Sequence, residues 1–80
     1  MIQAYVLIQT DVGSAGQIAH EVRAIEGVMS AEPVTGPYDV VARIKASDLD
    51  RLGKLVAARV QSVAGITRTL TCLIAGWQDR

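Results

Sequence analysis

Two runs of helical spacing in this chain each close at a glycine that is followed by a β-branched residue and a strand-like segment: Glu26-Gly27-Val28 in the first half, Ala64-Gly65-Ile66 in the second. In the first run Ile18, Val22 and Ile25 fall four and three apart, with Ala15 beside them and Gln17, Glu21 and Arg23 facing away. In the second, Leu49, Leu52, Val56, Val60 and Val63 follow the same rule, with Lys54, Arg59 and Gln61 off the stripe. Such spacing lays apolar side chains along one side of a helix, and a glycine just beyond it takes the left-handed conformation that ends the helix. Ser14 is the expected N-cap of the first helix. Ser47 with Asp50 resembles a capping box at the second, and Asp48 adds negative charge where the helix dipole favours it.

Strand periodicity surrounds both helices. Ile2, Ala4, Val6 and Ile8 alternate with Gln3, Tyr5, Leu7 and Gln9, and Val40, Ala42 and Ile44 alternate with Val41, Arg43 and Lys45. Val28 to Thr35 reads as a strand interrupted by Ser30, Glu32 and Pro33, hence as an edge or bulged strand, because proline cannot donate to a ladder. Ile66 to Ala75 places Ile66, Leu70, Cys72 and Ile74 on one face and Thr67, Thr69, Thr71 and Leu73 on the other. Between the second and third strands, Gly36-Pro37 suits a tight hairpin turn. The order β-α-β, hairpin, β-α-β has a simplest assembly: an α+β, ferredoxin-like, four-stranded antiparallel sheet with both helices on one face. The domain is expected to span residues 1–75, with 76–80 a short tail.

Even-numbered positions of the first, third and fourth strands are then expected to face the helices. The opposite face carries Tyr5, Leu7, Val41 and Leu73, an exposed patch larger than a soluble monomer normally shows. Packing two such faces together covers it, so a homodimer is expected. With eight basic and eight acidic side chains the net charge is zero, which leaves little repulsion between copies.

That neutrality also argues against a phosphate-binding surface. RNA binding through the sheet needs aromatic platforms in a basic surround, and the outer face offers only Tyr5 among threonines and glutamines. Cys72 is the single cysteine, which removes an intramolecular disulfide and any C-x-x-C metal or redox motif; it reads as a small buried hydrophobe. No metal or cofactor is expected. The apolar first ten residues lack a basic leading segment and a cleavage site, so a cytoplasmic protein is expected.

Tyr38 and Asp39 set a phenol and a carboxylate side by side at the mouth of an apolar strand. Asp39 either caps its own turn through a backbone amide, with Tyr38 packed on the rim, or pairs with the ammonium of a small zwitterionic ligand whose carboxylate meets amide donors near Gly36. His20, the only histidine, lies about 200° around the helical wheel from Ile18, facing solvent or an interface. Trp77 is either a loose end or swings onto a neighbouring subunit about Gly76. A small dimeric enzyme of oxygenase or isomerase type is the alternative to a binding module. It requires Asp39 or His20 in a closed cavity.

Val34-Thr35-Gly36-Pro37-Tyr38-Asp39 and Gly65-Ile66-Thr67-Arg68-Thr69-Leu70-Thr71 resemble the V-T-G-x-Y-D and G-V-x-x-T-x-T segments of the Lrp/AsnC family effector-binding domain. The resemblance covers nearly the whole chain. It implies a non-enzymatic, amino-acid-binding domain of transcriptional regulation, dimerised through its sheet and assembled into rings of four or five dimers. It further implies that Thr35, Gly36, Tyr38 and Asp39 line or shape a ligand pocket between dimers, with Thr69, Thr71 and Leu73 near it or at the assembly contact. Family regulators carry an N-terminal helix-turn-helix, whereas this sequence begins at the first strand. The expectation is a stand-alone form that senses an amino acid itself or joins mixed rings with a full-length regulator, without touching nucleic acid or membrane.

Overall fold

The computed structural model describes residues 1–76. Its elements are β1 (Ile2–Thr10), α1 (Ala15–Arg23), β2 (Val28–Pro33), β3 (Val40–Ala46), α2 (Leu49–Leu55) with a π-helical extension (Val56–Val60), and β4 (Ile66–Leu73). The four strands form one antiparallel sheet in the order β2-β3-β1-β4. This is the ferredoxin-like arrangement expected from the alternation of periods. Both helices lie on one face.

The core follows the sequence pattern in the two central strands. Ala4, Val6 and Ile8 of β1 and Val40, Ala42 and Ile44 of β3 are fully buried against Ile18, Val22 and Val60 from the helices. Each valine or isoleucine among them contributes roughly 1.5–3 kcal/mol by leaving water. Gly27 and Gly65 stand in the left-handed region at φ +98° and +95°, but in the turns leading into β2 and β4: the helices end earlier than expected, with Ala24 and Gln61 as their C-caps. At Gly65 a Cβ would also lie 2.9 Å from Ile18 Cδ1, so the glycine both turns the chain and lets β4 start close to α1.

Local capping differs from expectation. Ser14 makes no side-chain cap bond, and its carbonyl alone receives the amide of Ile18 at 2.9 Å. At α2 the cap is Asp48, not Ser47: Asp48 Oδ1 accepts from the Arg51 amide at 2.8 Å, while Ser47 Oγ accepts from the Arg51 guanidinium at 3.2 Å. Asp48 stands in extended conformation and can reach back to the third amide of the helix. Replacing it therefore removes a cap that Ser47 does not supply. Asp48→Ala is expected to cost about 1 kcal/mol and Ser47→Ala less than about 0.5 kcal/mol, read by thermal denaturation.

β4 is turned over relative to expectation. Gln9 pairs with Arg68 but Thr10 pairs with Ile66, leaving Thr67 without a partner on β1. This bulge adds one residue to one strand, and a one-residue slip exchanges the faces of everything beyond it. Ile66, before the bulge, packs on the core as the alternation requires. After it, Thr69, Thr71 and Leu73 stand opposite the inward-facing Ile8, Val6 and Ala4, on the helix side. Leu70 and Cys72 accompany Leu7 and Tyr5 on the open face, where Leu70 is 45% exposed and Cys72 is exposed rather than buried. Leu73 therefore leaves the open-face patch, and Leu70 replaces it.

Two further departures concern α2 and the hairpin. Leu49, placed on the apolar stripe by its spacing, is 61% exposed. The β2–β3 connection is a wide loop closed by Val34 N donating to Asp39 O at 2.8 Å. Gly36 within it has no positive φ, and a Cβ there would meet nothing within 4 Å. Among the described residues no helix is long and apolar enough to cross a membrane. Trp77 lies outside the described residues.

Candidate functional site

The β2–β3 loop is fastened to the end of β1. Asp39 is held at three points: its amide donates to Ile8 O at 2.8 Å, its carbonyl accepts from Val34 N at 2.8 Å, and its Oδ2 accepts from the Thr10 amide at 2.8 Å. Gln9 Nε2 donates to Pro37 O at 3.1 Å and pins the loop from the open-face side. Of the two roles open to Asp39, capping is the one its bonds describe, with the capped amide on β1 rather than in its own loop. Tyr38 is half-buried beside it, whereas Thr35 and Gly36 are exposed.

The second group of candidates lies elsewhere. α1 packs on β2 and β3, and α2 on β3, so the helix-side surface of β4 is left open and Thr71 and Leu73 remain exposed. An apolar groove of about 450 Å³ runs there between α2 and β4, lined chiefly by Leu49, Leu52, Val56, Ala57 and Leu73. A polar cavity of about 270 Å³ adjoins the β4 bulge, lined by Ile66, Thr67, Arg68 and Thr69. Gln61 lines both, so the two form one cleft along the edge of the sheet. Its combined size suits a small ligand.

Gln61 owes its position to the π-helical extension. Its amide bonds back five residues, to Val56 O at 2.9 Å, and the widened turn carries its side chain to β4, where Nε2 donates to Thr69 Oγ1 at 2.7 Å. Single π-turns of this kind put an extra residue into a helix and re-aim its side chains, often at functional sites. Neither Gln61 nor the groove residues stand out in the sequence. A register of four between Val56 and Val60 looks like an ordinary α-helix, and only the placement of a glutamine just past that pair hints at a polar contact.

The structure thus brings Thr69, Thr71 and Leu73 together on one cleft wall and keeps Thr35, Gly36, Tyr38 and Asp39 together on a loop, but one chain does not merge the two groups. Ile8 and Thr69 share a level of the sheet with the Asp39 end, and Leu73 lies four residues further along β4, about 13 Å away by strand rise. His20 is exposed on α1 and, like Asp39, lines neither part of the cleft. Among the described residues no cluster of three or more His, Cys, Asp or Glu could hold a metal ion.

Fold and cleft together define a ferredoxin-like binding module. The chain belongs to the Lrp/AsnC ligand-binding-domain family, whose model matches residues 3–75. An uncharacterised HTH-type transcriptional regulator of Pyrococcus furiosus is 28% identical over 71 residues, covering 85% of this chain and 47% of the regulator. The chain thus spans about half the length of the curated relatives it matches. A crystal structure from Thermus thermophilus superposes with a TM-score of 0.86 at 32% identity, covering 92% of both chains. A Neisseria meningitidis transcriptional regulator solved as an L-Met complex gives a TM-score of 0.80 at 20% identity, over 91% of this chain and 49% of that one.

Proposed function

We propose that the chain is an amino-acid effector-binding module that works as an oligomer in transcriptional regulation of amino-acid metabolism. The observation that carries the proposal is a ligand-sized cleft built on β4 within a domain of the Lrp/AsnC ligand-binding family. The Neisseria regulator of the same fold is a complex with L-Met, which supports an amino acid as the ligand class.

Two copies pair through their open sheet faces, and dimers assemble further into rings of four or five. In such a ring the Thr35–Asp39 loop of one dimer meets the Thr69–Leu73 wall of the next, joining the groups that a single chain keeps apart. Tyr38 walls the site and Asp39 holds the loop in shape. The module acts in the cytoplasm, in rings of its own or in mixed rings with a DNA-binding family member. Light scattering coupled to size exclusion, without ligand and with each amino acid in millimolar excess, tests both parts. A ring-sized particle whose mass or stability responds to one amino acid is expected. A plain dimer indifferent to all of them overturns the proposal.

A further inference from the structure

The apolar part of the cleft is unfinished core. Leu49 belongs to the same helical stripe as Leu52, Val56 and Val60, yet it stays largely exposed, and Leu73 on the opposite wall of the groove, at the end of β4, is 52% exposed. A contiguous aliphatic groove left in water is unfavourable until something apolar fills it. The chain itself runs on from this spot. β4 is still tied to β1 at Ile74, whose amide donates to Gln3 O at 3.0 Å, and the chain then turns at Ala75 and Gly76. Gly76 has φ +73°, a left-handed conformation that lets a chain reverse its direction. The next residue in sequence is Trp77, the only tryptophan and the largest apolar side chain of a protein without phenylalanine.

We propose that the groove between α2 and β4 is the docking site of the chain's own C-terminal segment, with the Trp77 indole as its occupant. Reach allows it: Trp77 is four residues from Leu73, about 13 Å even at full extension, and a reversal at Gly76 shortens that span. The chemistry suits it as well. An indole is an apolar body with one N–H to place, and the groove offers aliphatic walls together with the Thr71 hydroxyl and the Gln61 carboxamide oxygen as acceptors. The unliganded cleft is then self-occluded in its apolar half, while the polar half beside the Gln61–Thr69 bond stays open. An effector side chain that enters the apolar half displaces the indole; this step alone rests on the effector-binding proposal.

Because Trp77 is the only tryptophan, its fluorescence reads its surroundings directly. In the full chain without ligand, a blue-shifted emission is expected, with acrylamide quenching several-fold weaker than for free N-acetyltryptophanamide. Gly53 lines the groove from α2, and a Cβ there meets nothing within 4 Å, so Gly53→Leu fills the groove instead of the core, and leucine is the better helix former. That variant is expected to keep its circular dichroism and to give Trp77 the emission and quenching of a residue in water. Dissociating the oligomer by Leu7→Glu, on the other face of the sheet, is expected to leave the protection intact. Water-like emission in the parent overturns the inference, and so does protection that survives Gly53→Leu. Protection lost on dissociation overturns it too, since it assigns the indole to a neighbouring subunit. Titration with amino acids, followed by calorimetry and fluorescence together, keeps the two proposals apart: binding of none of them overturns the effector reading and leaves the docked indole standing.

Discussion

Leu7→Glu is expected to convert the assembled protein into folded monomers. Leu7 occupies the middle of the open sheet face, with Val41 opposite it on β3 and Leu70 opposite it on β4, so three aliphatic side chains form one row across three strands. In the next row Arg43 lies over the Tyr5 ring at 5.8 Å and donates to Gln3 Oε1 at 2.7 and 3.1 Å. Its charge is fixed within the sheet, which suits a surface that packs against its own copy. In a two-fold interface each substituted position occurs twice. An unpaired carboxylate buried there costs about 3 kcal/mol at each occurrence, so the dissociation constant is expected to rise on the order of ten-thousand-fold. Leu7 is only half-buried in the single chain, and the fold itself is expected to survive. Sedimentation velocity with circular dichroism reads the two effects separately. An unchanged oligomer would place the interface on another surface.

The same row shows how far the sequence could be read. Leu7 and Val41 were legible on the open face because β1 and β3 pair without interruption, and strict alternation then fixes which side each residue takes. The left-handed conformation of Gly27 and Gly65 was legible because it favours glycine, but the helix ends were not, since Ala24 and Gln61 cap the helices with ordinary right-handed dihedrals. Leu70 and Leu73 were not, since the unpaired Thr67 changes the parity of β4 while leaving its composition untouched. A bulge has no residue signature among threonines. The candidate site suffered from the same blindness: the Thr69, Thr71 and Leu73 wall follows from that inversion, and Gln61 reaches it only through a π-turn built from unremarkable valines and alanines. The sequence pointed to Gly36 and Pro37 as a tight turn because of their usual preferences, whereas the loop is wide and Gly36 is under no steric demand.

Asp39 fastens the β2–β3 loop to the end of β1, and its substitution separates that role from the proposed one in ligand binding. Asp39→Ala leaves the half-buried amide of Thr10 without an acceptor and frees the loop from the end of β1. Losing a charge-assisted bond to a partly buried amide is expected to cost about 1.5–3 kcal/mol, a large share of the stability of so small a domain. Asp39→Asn keeps an oxygen in place to accept from Thr10 and removes only the charge, so most of that stability is expected to return. Ligand affinity then divides the two roles that a turn carboxylate can play. With the carboxylate acting as a clamp, the asparagine variant binds its ligand within a few-fold of the parent, and the alanine variant loses affinity only in step with the disordering of its loop. If the asparagine variant is as stable as the parent but has lost the amino acid, the carboxylate pairs with an ammonium instead. Chemical denaturation and calorimetry on the same two proteins decide between these outcomes, because the amide of Thr10 responds to an acceptor of either charge and an ammonium does not.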